Sequence, residues 1–159
     1  MKILFVYPSW TGEYGLIAHF ARRAGVYPPL NLALVAAIAE EHGHKAQILD
    51  AEADRITMEK LIKKSIEAKP DIIALTGMSP FFHLVKDFAS GVKERDDTIP
   101  IVVGGQHITI MKEEAFFPQF DFGFVGEVED SWPEFLNLFD NGQDLSTVPG
   151  LIYRKDKKV

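Results

Sequence analysis

Cysteine is absent from the 159 residues. A disulfide scaffold, a thiolate zinc site, a Cys nucleophile and a Cys-ligated iron–sulfur cluster are therefore excluded within this sequence. Long apolar runs are lacking too: none approaches the roughly 18 residues that span a bilayer. The opening Met1-Lys2-Ile3-Leu4-Phe5-Val6-Tyr7-Pro8 is too short for a signal peptide, and no small-residue cleavage site follows it closely. It reads as the first strand of a cytoplasmic protein with no membrane partner. Positive charge is scarce, with 17 Lys and Arg against 23 Asp and Glu and a net charge of −6. The basic clusters Arg22–Arg23, Lys63–Lys64 and Arg154–Lys158 are too short for a nucleic-acid-binding stripe, so no nucleic-acid partner is expected.

What is present is an ordinary globular composition, 47% hydrophobic and 25% charged. The length suits one domain with a core that needs no staples. Short apolar runs predict strands at Ile3–Tyr7, Ala46–Leu49, Asp71–Thr76, Ile101–Val103 and Phe122–Val125, with a short extra edge strand at Leu151–Tyr153. Apolar residues at helical spacing alternate with them. Leu30, Leu34, Val35 and Ile38 form one face, stopped at Gly43. Met58, Leu61, Ile62 and Ile66 form a second, ending before Pro70. Leu84, Val85, Phe88 and Val92 form a third, for which Ser79 is the expected N-cap and Pro80 the first helical residue. A fourth segment near Met111–Phe117 is short and poorly periodic. Trp132, Phe135, Leu136 and Phe139 form the last face, with Ser131 and Glu134 as a capping box and Gly142 as the stop. This alternation predicts an α/β fold: a flavodoxin-like (Rossmann-like) doubly wound parallel five-stranded sheet, order 2-1-3-4-5, with helices on both faces. About 20 residues from Pro8 to Pro28 precede the first clear helix, a long connection of the kind that is often functional; Leu16–Arg23 is a candidate short helix within it.

In such sheets ligands bind beyond the carboxyl ends of the strands. The residues there are Pro8-Ser9-Trp10, Asp50-Ala51-Glu52, Thr76-Gly77-Met78-Ser79-Pro80, Gly104-Gly105-Gln106-His107 and Gly126-Glu127-Val128-Glu129. Two glycines after a buried strand serve either a tight turn or the close approach of a flat ligand or another backbone. Thr76-Gly77-Met78-Ser79 offers hydroxyls beside a helix start, for capping or for a polar ligand edge. Glu127 and Glu129 suit ligand contacts, helix N-terminal charges or solvated positions. No phosphate loop, dinucleotide glycine pattern or Gly-x-Ser-x-Gly elbow occurs. Among the histidines, His42 and His44 flank a helix end, and His19 and His83 have no ligand partner at metal spacing. His107 alone falls in the predicted site. No catalytic constellation assembles from sequence, so the domain is not expected to turn over a substrate alone.

Thr76-Gly77-Met78, Gly104-Gly105-Gln106-His107 and Gly126-Glu127-Val128-Glu129 together resemble the cobalamin-binding domain at the N-terminus of class B radical S-adenosylmethionine enzymes. Tyr27-Pro28-Pro29-Leu30-Asn31-Leu32, Glu40-Glu41-His42-Gly43-His44 and Val148-Pro149-Gly150-Leu151 look like the same family, which includes methylases and the anaerobic magnesium-protoporphyrin IX monomethyl ester cyclase. The resemblance covers Lys2 to Tyr153. It implies that Gly104 and Gly105 let the nucleotide tail of cobalamin lie beside the sheet, and that Thr76 and Met78 match a Ser-x-Leu-type element whose hydroxyl meets the tail base. Gly77 lies within that element and Ser79 follows it. Gln106, His107, Gly126 and Glu127 would line the mouth. The loop Ser9-Trp10-Thr11-Gly12 lacks the Asp-x-His of methionine-synthase-type domains. Cobalamin is thus expected base-off with no protein His ligand, His19 being a remote candidate. Trp10 would lie against the corrin, block its lower face, or belong to the core. The resemblance further implies a cobalamin-binding domain at 1–150. Residues 151–159 would begin an edge strand or linker to a radical domain that carries a 4Fe-4S cluster and S-adenosylmethionine outside this sequence. The alternatives are a flavodoxin-like module for another flat cofactor and a non-catalytic protein-interaction domain.

Overall fold

The central runs Ile3–Val6, Ile72–Leu75 and Ile101–Val103 are apolar at every position because both of their faces are covered, whereas the edge run Lys45–Asp50 is half polar and largely exposed. The computed structural model describes residues 1–17 and 27–154. β1 (Lys2–Tyr7) is flanked by β2 (Lys45–Asp50) and β3 (Ile72–Thr76); β4 (Ile101–Gly104) and β5 (Phe122–Phe124) follow in parallel. β6 (Leu151–Tyr153) adds antiparallel to β5. The order is β2-β1-β3-β4-β5-β6. The expected five-strand order is thus present, and the extra edge strand makes the sheet six-stranded and mixed.

α1 (Leu30–Glu41) and α5 (Ser131–Asp140) cover one face; α2 (Met58–Glu67) and α3 (Phe82–Lys93) cover the other. The winding follows from right-handed crossovers. The step from β1 to β2 runs one way along the sheet and puts α1 on the first face. The steps from β2 to β5 run the other way and put their helices on the second. Ile3, Phe5, Ile72, Ala74 and Val102 meet α1 and α5, while Leu4, Val6, Ile73, Leu75, Ile101 and Val103 meet α2 and α3. Burying each large side chain contributes about 2 kcal/mol, so neither face is dispensable.

Three local expectations are corrected. Ser79 does not cap α3: Ser79–Phe81 is a 3-10 turn, and the residue before α3, Phe81, makes no capping side-chain bond. The poorly periodic fourth segment is instead α4 (Gln106–Met111), which starts directly after Gly105 and is followed by a 3-10 turn at Lys112–Ala115. Ser131 lies inside α5 rather than at its cap. Asp130 precedes the helix, and the Ser131 hydroxyl reaches only back to the Val128 carbonyl at 3.5 Å. Thr57 does cap α2, accepting from the Lys60 N–H. In the Pro8–Pro28 connection, Thr11–Ile17 is a 3-10 segment; His19 and most of the proposed Leu16–Arg23 helix lie outside the described residues.

Candidate functional site: a slot beside the sheet

Side chains on a strand alternate between faces. On the α1/α5 face they are smaller towards the carboxyl ends than at the start: Ile72 gives way to Ala74 and Thr76 on β3, and Val102 to Gly104 on β4. The sheet surface is hollowed there. Leu32 and Val35 of α1 and Trp132 of α5 close over it, leaving a cavity of about 140 Å³ whose walls are mostly apolar. Phe5 and Phe124 form its floor. At its mouth stand Gly126, Glu127 and Glu129, from the segment that leads into α5.

The two glycines differ in kind. A Cβ on Gly104 would meet nothing nearer than Phe124 Cβ at 4.0 Å, and the backbone is ordinary strand. Its missing side chain is open space at the slot. Gly105 has φ +95°, and a Cβ there would stand 2.5 Å from Thr76 Oγ1 and 3.2 Å from the Gly77 nitrogen. It joins two loops backbone to backbone. The Gly77 N–H donates to the Gly104 carbonyl at 3.3 Å and the His107 N–H to the Gly77 carbonyl at 3.2 Å.

Thr76 is 8% exposed. Its hydroxyl oxygen accepts from Asn31 Nδ2 at 2.8 Å, and Asn31 Oδ1 in turn accepts the Leu32 N–H at 3.0 Å. The pair sits on the wall between the slot and an open recess of about 390 Å³, which is lined also by Tyr7, Trp10, Tyr27 and Met78. Apolar surface is unusually bare around this recess: Tyr27 is 76% exposed, Leu30 75% and Met78 44%. Clustered exposed apolar groups of this size mark a binding surface more often than scattered single ones do.

Other residues named from sequence build the rim. The Ser9 hydroxyl donates to Glu52 Oε2 at 2.7 Å, and the Trp10 and Thr11 N–H groups donate to the same oxygen at 3.0 Å. Glu52 is 4% exposed. Burial alone would raise its pKa, but the hydrogen bonds from Thr11, Ser9 and Trp10 outweigh that and hold it below the usual carboxylate value. Trp10 packs against Phe81 at 5.4 Å and Tyr14 at 6.1 Å between ring centroids. Ser79 Oγ meets His107 Nδ1 at 3.0 Å, and the imidazole lies on the Phe82 ring at 4.1 Å. Burial lowers the His107 pKa. Gln106 is exposed at the start of α4. Thus Thr76, Gly104, Gly105, Gly126 and Glu127 gather at the slot and Gly77, Met78 and Trp10 at the recess. Ser9, Ser79 and His107 are engaged within the loops. Among the described residues no cluster of three or more His, Asp or Glu could hold a metal ion.

Asn31, Leu32, Val35, Trp132 and Glu52 belong to this region without having been singled out as site residues. α1 carried a signal: Leu30, Leu32 and Leu34 exceed one helical stripe, and Leu30 and Leu34 are exposed.

The family model of the B12 binding domain matches residues 18–136. The chain belongs to the B12-binding domain family. An uncharacterized methyltransferase, PH0819, of Pyrococcus horikoshii is 29% identical over 161 residues; the match covers 100% of this B12-binding domain and 34% of the relative. The anaerobic magnesium-protoporphyrin IX monomethyl ester cyclase of Cereibacter sphaeroides is 30% identical over 135 residues, covering 82% of this chain and 21% of the cyclase. The chain therefore spans about a third of the first relative and about a fifth of the second. The radical S-adenosylmethionine methyltransferase TsrM of Kitasatospora setae, solved with cobalamin and a [4Fe-4S] cluster, superposes with a TM-score of 0.78 at 18% identity, over 98% of this chain and 29% of that one. The resemblance and the flavodoxin-like fold expected from sequence are both borne out. Among the described residues, no helix is long and apolar enough to cross a membrane.

Proposed function

We propose that this domain holds cobalamin base-off and without a protein His ligand, as the cofactor-bearing part of a radical S-adenosylmethionine methyltransferase or cyclase. The observation that carries the reading is the slot. An apolar cavity of about 140 Å³ opens where Gly104 has no side chain, a size at which an apolar cavity (about 150 Å³) accepts one aromatic ring. The residues fit a flat heterocycle: apolar walls and a threonine hydroxyl at the rim. In this reading Thr76, Gly104, Gly105, Gly126 and Glu127 receive the nucleotide tail. Trp10, Gly77 and Met78 face the macrocycle across the recess.

A tail held in the slot keeps its base away from the metal, which is the reason for the base-off assignment. Cobalamin supplies a cobalt centre for methyl transfer or electron transfer when bound. The chain's own residues orient it: α1 and α5 clamp the tail, and Glu52 fixes the loop that carries Trp10. The 4Fe-4S cluster, S-adenosylmethionine and the substrate chemistry are assigned to a radical domain of the full-length protein.

The test is a visible-absorption titration of the wild-type chain and Gly104→Val with cobalamin. Saturable binding with a base-off spectrum, lost at least about 30-fold in the valine variant at unchanged thermal stability, supports the reading. An unshifted spectrum at high micromolar cobalamin overturns it, and yellow fluorescent protein as purified would favour a flavin instead.

A further inference from the structure

Three strand-end loops frame the slot, and hydrogen bonds tie them in series. The β3 loop meets the β4 loop backbone to backbone through Gly77, Gly104 and His107. The link onward to the β5 loop is a side chain. The hydroxyl of Thr109, in α4, donates to the Gly105 carbonyl at 3.0 Å and accepts the Gly126 N–H at 3.0 Å. The proton and a lone pair of one oxygen are thus both in use. The first bond is an ordinary contact of a helical threonine with the carbonyl four residues back. The second joins residues 17 apart in sequence and has no such local explanation. Thr109 does not itself line the slot, whereas Gly105, Gly126 and Glu127 do. Its hydroxyl acts through them.

Packing does not hold the mouth where it is. On either side of it the Val125 N–H donates to the Gly150 carbonyl at 2.8 Å and the Trp132 N–H to the Val128 carbonyl at 2.7 Å. Between these anchors Gly126 and Glu127 are exposed. Gly126 has φ +87°, and a Cβ there would meet nothing within 4 Å. A glycine without packing neighbours is held by its hydrogen bonds, and it has a wide choice of backbone conformations once they are lost. Removing the hydroxyl costs little stability, because water replaces it on the exposed Gly126 N–H. The Gly105 carbonyl also keeps the Thr109 N–H at 3.1 Å, so α4 retains its first backbone bond. What is lost is the fixed position of the mouth.

We propose that Thr109 is a positioning residue for the cobalamin tail: its hydroxyl holds the Gly126–Glu127 mouth to the Gly105 turn and so sets the opening through which the nucleotide enters the slot. This rests on the cobalamin reading above. Groups that fix contacting residues from behind matter to a site because a loosely held contact binds poorly.

Thr109→Val, which keeps the shape, and Thr109→Ser, which keeps the hydroxyl, test it on the 159-residue chain. The ligands are cobalamin and cobinamide, which has no nucleotide. Thr109→Val should bind cobalamin about five- to tenfold more weakly than wild type, at the lower end of what lost outer-shell contacts cost, and cobinamide as wild type does. Its melting temperature should stay within about 2 °C of wild type. Thr109→Ser should recover wild-type affinity. In the ligand-free chain the Gly126 amide should exchange its proton at least about tenfold faster in Thr109→Val than in wild type, a readout that needs no ligand. A Thr109→Val that binds cobalamin like wild type, loses cobinamide equally, or melts more than about 5 °C lower overturns the inference while leaving cobalamin binding intact. So does a Thr109→Ser that does not recover, or a Gly126 amide that exchanges at the same rate in both chains. Failure of wild type to bind cobalamin, or equal binding of cobinamide and cobalamin, removes the tail-slot reading itself and the inference with it.

Discussion

The side-chain amide of Asn31 donates to the hydroxyl of Thr76 across 2.8 Å, tying the first turn of α1 to the carboxyl end of β3. This bond fixes the width of the slot at its rim, because α1 is one wall and β3 part of the floor.

Replacing Thr76 with valine keeps the shape and removes the hydroxyl. Asn31 loses its acceptor and the slot loses a donor. The expected outcome is a loss of about 1 kcal/mol in stability, typical of one hydrogen bond, and roughly tenfold weaker cobalamin binding, equivalent to about 1.4 kcal/mol. Thr76→Ser should restore both. Denaturant melts and absorbance titrations read the two effects separately.

The two glycines should fail in opposite ways. Gly104→Val places a β-branched side chain on an ordinary strand position with room around it, so folding should survive and ligand binding should not. Gly105→Ala must hold alanine at φ +95° against Thr76 Oγ1. Backbone strain alone there costs about 1–3 kcal/mol, so the melting temperature should fall by roughly 5 °C or more. Calorimetry of both variants decides.

Glu52→Gln removes the charge that gathers Ser9, Trp10 and Thr11. Charge-assisted bonds are worth about 1.5–3 kcal/mol in total effect, so a loss of about 2 kcal/mol near neutral pH is expected. The pH dependence has a definite sign. The Glu52 pKa is lowered on folding from 4.5, so its contribution is complete above that value and is lost as pH falls through the lower folded-state value. Stability measured from pH 6 to 3 should therefore decline less steeply in the variant.

His107 is a half-buried imidazole. Burial lowers its pKa from 6.5, so the unfolded chain takes up the proton first as pH drops. Its contribution should weaken stability progressively below pH 6.5. An imidazole titration followed by proton NMR should give a midpoint under 6.5, and His107→Gln should flatten the stability profile just below that pH.

Much of this architecture was legible because Ile3–Tyr7, Ile72–Leu75 and Ile101–Val103 are unbroken apolar runs bounded by turn residues. Gly104-Gly105 was legible as a pair, although the division of labour between them was not: φ +95° and a 2.5 Å approach to Thr76 depend on neighbours distant in sequence. α4 was missed because Gln106-His107-Ile108-Thr109-Ile110-Met111 alternates polar and apolar residues with β-branching, a strand-like pattern. The turn at Gly105 and the Thr109 N–H and hydroxyl bonds back to the Gly105 carbonyl impose the helix instead. Trp132 read simply as a core residue, since a helical stripe does not distinguish a side chain that packs against its own core from one that also borders a cavity. Glu52 was visible as a strand-end acid, but its three donors lie some forty residues earlier in the chain.

The contrast between the adjacent glycines also bears on descent. Gly105 is demanded by the backbone, whereas nothing in the backbone or its neighbours demands glycine at 104. In a lineage that had ceased to carry the cofactor, drift would be free to put a side chain at position 104 while position 105 stayed glycine. On the proposed reading position 104 is a record of use and position 105 a record of shape, and comparing the two in any homologous chain would separate a working slot from an inherited scaffold.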